Sequence, residues 1–87
     1  VTDYAAIDAI LKELERAEKL HPQWPISTLD QVAIMVEEAG ETIRAALNYK
    51  YHGGSIDEVR TELIQTGAMC VRCLKKLQPS LEHLEPT

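Results

Sequence analysis

The chain contains no apolar run approaching the roughly 18 residues that a bilayer span requires, and its N-terminus lacks the basic-then-apolar order of a signal peptide. No membrane association is expected, and the expected location is cytoplasmic. A basic stripe with interleaved aromatics is also missing: nine Lys and Arg stand against fourteen Asp and Glu, for a formal charge of -5. Phosphate-backbone binding therefore lacks its electrostatic basis, which argues against nucleic acid as a partner. Cysteine is sparse. Cys70 and Cys73 form a C-x-x-C spacing with no second ligand pair and no βαβ setting, so they read as small apolar side chains packed between helices. Internal repeats and low-complexity segments are absent.

What remains is a folding composition, 45% hydrophobic and 26% charged, in 87 residues. That length makes one domain, residues 1–87, and leaves much of its surface uncovered. A homodimer or homotetramer is the expected assembly.

Periodicity predicts three helices and no strand. The first spans Asp3 to Leu20, with Tyr4, Ile7, Leu11 and Leu14 at helical spacing and Thr2 or Asp3 as cap. The segment His21-Pro22-Gln23-Trp24-Pro25 ends it, because each proline lacks an amide donor and disfavours helical geometry in the residue before it. The second helix, from Leu29 to Tyr51, carries the stripe Leu29, Val32, Val36, Ala39, Ile43 and Ala46, whose alternating steps of three and four are those of a bundle seam. His52-Gly53-Gly54-Ser55 makes the turn. A third helix from Ile56 to Leu77 places Ile56, Val59, Leu63, Gly67, Cys70, Leu74 and Leu77 on one face, with Pro79 beyond its end. Gly67 costs about 1 kcal/mol relative to Ala within a helix, so close approach of a neighbouring helix is its expected compensation. The tail after Ser80 reads as either a short turn or loose chain. The fold expected is all-α: an antiparallel bundle of three main helices, completed by oligomerisation.

Acidic residues break the apolar pattern on both later helices. With Val36 at zero and about 100° per residue, Glu38 falls near about 200° and Glu41 near about 140°, beside Ile34 and Ala45. Glu58, Glu62 and Gln65 occupy the corresponding side of the third helix. Carboxylates flanked by apolar residues need pairing or a metal. Two like charges about 4 Å apart repel by about 4 kcal/mol at an effective dielectric of 20. An oxygen-only set selects a hard cation, and magnesium fits best. Glutamates at this spacing are also common as solvated or ion-paired groups, with Arg44 and Arg60 available as partners.

The run Glu37-Glu38-Ala39-Gly40-Glu41, followed some twenty residues later by Glu62-Leu63-Ile64-Gln65, resembles the E-E-x-x-E … E-x-x-D signature of the MazG-like, all-α nucleotide pyrophosphohydrolases. The resemblance covers Trp24 to Leu77 and includes the helix-turn-helix setting. It implies hydrolysis of a nucleoside triphosphate between the α- and β-phosphates to monophosphate and pyrophosphate, as nucleotide-pool housekeeping. Magnesium, for which manganese can substitute, would be held by Glu38, Glu41 and Glu62, and would neutralise phosphate oxygens and acidify the attacking water. Glu37 or Glu41 would accept the proton. One position departs from the signature: Gln65 stands where the family has aspartate, offering a neutral amide oxygen in place of a charged ligand.

Several further residues border this region. In relatives an aromatic near Trp24 stacks on the base, which makes Trp24 and His21 candidates for substrate binding; alternatively, Trp24 plugs the end of a small bundle. Arg72, Lys75 and Lys76 read either as phosphate contacts or as cations favoured at a helix C-terminus. His52 and His83 read as solvated. Glu18-x-x-His21 lacks the second such motif and the two further glutamates that a di-iron bundle needs. The rival to the enzymatic reading is a non-catalytic helical module for dimerisation or partner binding, with Gln65 marking a degenerate metal site.

Overall fold

The computed structural model describes residues 1–77. It consists of three helices, α1 (Asp3–Leu20), α2 (Thr28–Tyr51) and α3 (Ile56–Lys76), with no strand among the described residues. The predicted helices agree with these to within a residue at each end. The predicted stop at Pro79, the tail after Ser80 and His83 lie outside the described residues.

Each helix starts on a hydroxyl cap. Thr2 accepts from the Ala5 amide, Ser27 from Asp30 and Ser55 from Glu58, each satisfying one of the unpaired donors of the first turn. The turn into α3 depends on Gly53, whose φ of 72° is one that side chains disfavour.

The helices run up, down and up, and α3 is the middle one, packing against both others. Ile10 lies against Gly67 and Glu18 bonds Lys75, both pairs separated by the same 57 positions (67−10 and 75−18), so α1 and α3 are parallel. Contact with α2 is antiparallel, and Thr42 meets Thr66 across it at 2.9 Å. The interior is small: Leu14, Ala17, Ala68 and Met69, with Ile10, Trp24, Ile34, Met35 and Val71 packed around them. Ala45 and Cys73 are also buried.

Small side chains form much of this contact, and that corrects the predicted stripes. On α1, Leu14 is buried as expected but Tyr4, Ile7 and Leu11 are exposed. On α2, Leu29, Val36 and Ile43 are 77%, 56% and 60% exposed, while Gln31 and Ala45 on the opposite side are buried. On α3, Ile56, Leu63, Cys70 and Leu74 are exposed, while Ala68, Met69, Arg72 and Cys73 face inward. Thus Cys73 is packed between helices as predicted and Cys70 is not; both are free thiols. Burial and the neighbouring Cys70 push the Cys73 thiol upward, and its Sγ donates to the Gln31 carbonyl at 3.4 Å. Large apolar residues turned outward while Ala, Gly and Cys turn in is the pattern of helices that must come close.

Gly67 conforms to its prediction. A Cβ placed there would stand 2.9 Å from Ile10 Cδ1 and 3.1 Å from its Cγ1. Gly67→Val should lower unfolding free energy by about 1–3 kcal/mol in urea denaturation, because the added methyls force α1 away. An unchanged midpoint would show that α1 is not seated on α3 at this point.

Candidate functional site

Glutamates from all three helices lie within electrostatic reach of Glu38. Glu38 is half-buried on α2, and its carboxyl is held above the ordinary carboxylate range, first by burial and then by the charges of Glu62, Glu37, Glu41 and Glu13. No Lys or Arg among the described residues lies within 4 Å of Glu38 or Glu62. Two neighbours do have countercharges. Arg16 clasps Glu13 through two bonds of 2.7 Å, and Arg44 approaches Glu41 at 3.6 Å.

The threonine contact sets the stagger of these groups. Thr42 lies one turn beyond Glu38 and Thr66 one turn beyond Glu62, and each hydroxyl reaches the carbonyl one turn back, at 3.1 Å and 2.9 Å. Two protons serve three contacts, so only one of those back-bonds forms while the hydroxyls bond each other. Because α2 and α3 are antiparallel, Glu38 and Glu62 lie on opposite sides of the pair, each about 6 Å along its axis. Glu41 and Glu62 line an open groove of about 320 Å³ with Arg44, Asn48, Glu58 and Thr61. Gln65 and Thr61 line the adjoining groove of about 330 Å³ between α1 and α3, beside Lys12, Glu13 and Arg16. Glu37 is exposed at the flank of α2.

As placed, no three His, Cys, Asp or Glu side chains among the described residues converge closely enough to hold an ion. The donors nevertheless match a hard cation in kind. All are oxygens, they come from facing helices, and Glu38 and Glu62 have no Lys or Arg among the described residues within salt-bridge reach. Glu13 is the acidic residue that the sequence reading passed over. Its signal was the small pair Ala9 and Ala17, one turn on either side, which marks the face of α1 that approaches its neighbours.

The residues first assigned to substrate fall at the other end of α2. Arg72 is 3% exposed, stacks on Trp24 with its guanidinium carbon 4.3 Å from the ring centroid, and donates through Nη2 to the His21 carbonyl at 2.7 Å. It anchors the α1–α2 loop and does not face solvent. Lys75 is bonded to Glu18 at 3.0 Å. Trp24 both packs against the core and lines an open groove of about 440 Å³ with Gln31, Thr28, Pro25 and the exposed Lys76. Gln31 is 2% exposed, and its Oε1 has no hydrogen-bond partner among the described residues; the same is true of Trp24 Nε1 and Arg72 Nε. His21 is exposed at the loop.

Two outcomes follow. Glu38 has a raised folded-state pKa, so the native state binds its proton more tightly than the unfolded chain does, and its ionisation opposes folding. Stability from this group is fully present below the unfolded carboxylate pKa and is lost as pH rises through the raised folded value. Glu38→Gln should therefore raise the urea midpoint at pH 7 without divalent ions, by a margin that shrinks as pH falls through the carboxylate range; a lower midpoint at pH 7 would contradict this. Arg72→Ala should cost about 2–4 kcal/mol of stability, from the lost stack and charged hydrogen bond. An Arg72→Ala chain as stable as the parent would show the arginine free for ligands.

No family model matches the chain, and neither does any curated protein or solved structure.

Proposed function

We propose that the protein is a magnesium-dependent nucleoside triphosphate pyrophosphohydrolase of the MazG-like kind, releasing monophosphate and pyrophosphate. The observation that carries this reading is Glu38: a half-buried carboxylate within electrostatic reach of Glu62, Glu37, Glu41 and Glu13, with no Lys or Arg among the described residues within 4 Å. Keeping such a cluster is costly unless something positive completes it. Glu38, Glu41 and Glu62 would hold the ion, with the Gln65 amide oxygen as a neutral contributor from the adjoining groove. When bound, magnesium supplies charge neutralisation of the phosphates and activation of water.

The protein's own groups then have distinct tasks. Water oxygen bonds to one phosphorus, the oxygen bridging the α- and β-phosphates departs with the other, and the water proton passes to a carboxylate. Glu41 suits that role better than Glu37, being half-buried in the groove beside Glu62 while Glu37 is exposed. The nucleoside end would lie in the groove at Trp24, whose rim carries the exposed Lys76 as a cation for a phosphate. Gln31 precedes Glu38 by two turns, about 10 Å along α2, a separation that a triphosphate tail can cover.

The second reading, a non-catalytic dimerisation or partner-binding module, draws on Gln65, which supplies no charge where a metal site gains from one.

Pyrophosphate release screened over canonical and modified nucleoside triphosphates should find substrates only with magnesium or manganese present. Glu38→Gln/Glu41→Gln should reduce turnover by about a hundredfold or more. Magnesium with a substrate analogue at 100 times its Kd should stabilise the parent by about 2.7 kcal/mol. No release from any triphosphate, together with an unmoved melting temperature, would favour the module.

A further inference from the structure

The groove that holds two of the proposed ion-binding carboxylates also holds a cation. Glu41 and Glu62 line it together with Arg44, Asn48, Asp57 and Glu58. Arg44 is the only Lys or Arg among the described residues of this groove, set among four carboxylates. An arginine in such surroundings is expected to clasp one of them, as Arg16 clasps Glu13 through two bonds of 2.7 Å. Arg44 does not. Its Nη1 stands 3.6 Å from Glu41 Oε2, beyond hydrogen-bond length and the longest of the ion pairs among the described residues, and its side chain is 72% exposed. A pair one turn apart on an exposed helix face contributes little to stability, so the guanidinium can leave Glu41 at small cost. Glu41 is also a proposed ion ligand, and a carboxylate turned to an ion releases its arginine.

The order of groups along α2 decides which part of a nucleotide Arg44 would meet. Trp24 and Gln31 border the groove at the start of the helix, Glu38 and Glu41 follow, and Arg44 stands one turn beyond Glu41, about 4.5 Å further along the axis. With the nucleoside at the Trp24 groove, a row of phosphates that passes the glutamates reaches Arg44 last. A guanidinium offers two parallel N–H donors that match the oxygens of a phosphate, and it keeps its charge at every working pH. We propose that Arg44 binds the terminal phosphates of the substrate, those released as pyrophosphate, and so distinguishes triphosphates from shorter nucleotides. The inference rests on the hydrolase reading and assigns to that site a contact made by neither the glutamates nor the Trp24 groove.

Calorimetric titration of the whole chain with inorganic pyrophosphate in excess magnesium provides the test, with circular dichroism as a control for helix content. Arg44→Gln should weaken binding by about tenfold or more, and Arg44→Lys should recover part of the loss, as a point charge without the fork. Arg60→Gln makes the same change of charge at an exposed arginine that lines a different groove, with Ala6, Ile10 and Leu63, and should bind as the parent does. Pyrophosphate release from triphosphates, measured on the same proteins, separates this inference from the hydrolase reading. If the parent releases pyrophosphate but does not bind it, or if Arg44→Gln binds it as the parent does, or if Arg60→Gln weakens it equally, the role of Arg44 is overturned and the hydrolase stands. Binding that depends on Arg44 without release from any triphosphate overturns the hydrolase reading alone. A parent that neither binds nor releases pyrophosphate overturns both.

Discussion

Close approach of α1 and α2 to α3 is the constraint on which the other features depend. It is made through Gly67, Ala17, Ala45, Ala68 and Cys73, residues with little or no side chain to hold helices apart. Once those faces are chosen, the rotation of every helix about its axis is fixed. Glu38 and Glu62 must then lie along the α2–α3 boundary, and Leu29, Val36, Ile43, Leu63 and Leu74 must point away from it. The same choice leaves the chain with few large buried side chains and a broad apolar exterior, which a monomer of this size tolerates poorly.

That rotation was the part of the fold least legible in the sequence. Helix boundaries could be read because they rest on local chemistry: the cap at Thr2 or Asp3, the prolines at 22 and 25, and the paired glycines. Periodicity identified apolar rows but could not say which row met the chain and which a neighbour. The rule that large apolar residues are interior then selected Val36 and Ile43, where the structure uses Ala45 and Gln31. Gly67 was the exception, because an otherwise unfavourable glycine on a helix implied a close neighbour and Ile10 supplies one. Gly40 is also a mid-helix glycine, yet no neighbour among the described residues lies within 4 Å of where its Cβ would be.

That Glu41 and Glu62 stand near enough to raise Glu38 was legible on α2 and α3, since angle separates the three from the apolar rows. Its contribution from α1 was not. Glu13 joins through tertiary packing, and its bond with Arg16 resembles any surface pair when read along the chain. Arg72 shows the opposite error: near a helix C-terminus it resembles a solvent-facing cation, yet its stack on Trp24 and its bond to the His21 carbonyl make it part of the loop's support.

Burial, unpaired charge and oxygen chemistry together support the proposal that Glu38 and its neighbours accept a hard divalent ion. Manganese titration followed by the paramagnetic resonance of the free ion tests this without requiring turnover or a known nucleotide. The account predicts saturable loss of the free-ion signal that Glu62→Gln weakens and Glu58→Gln leaves largely intact. A signal that falls no faster than in protein-free buffer would contradict it.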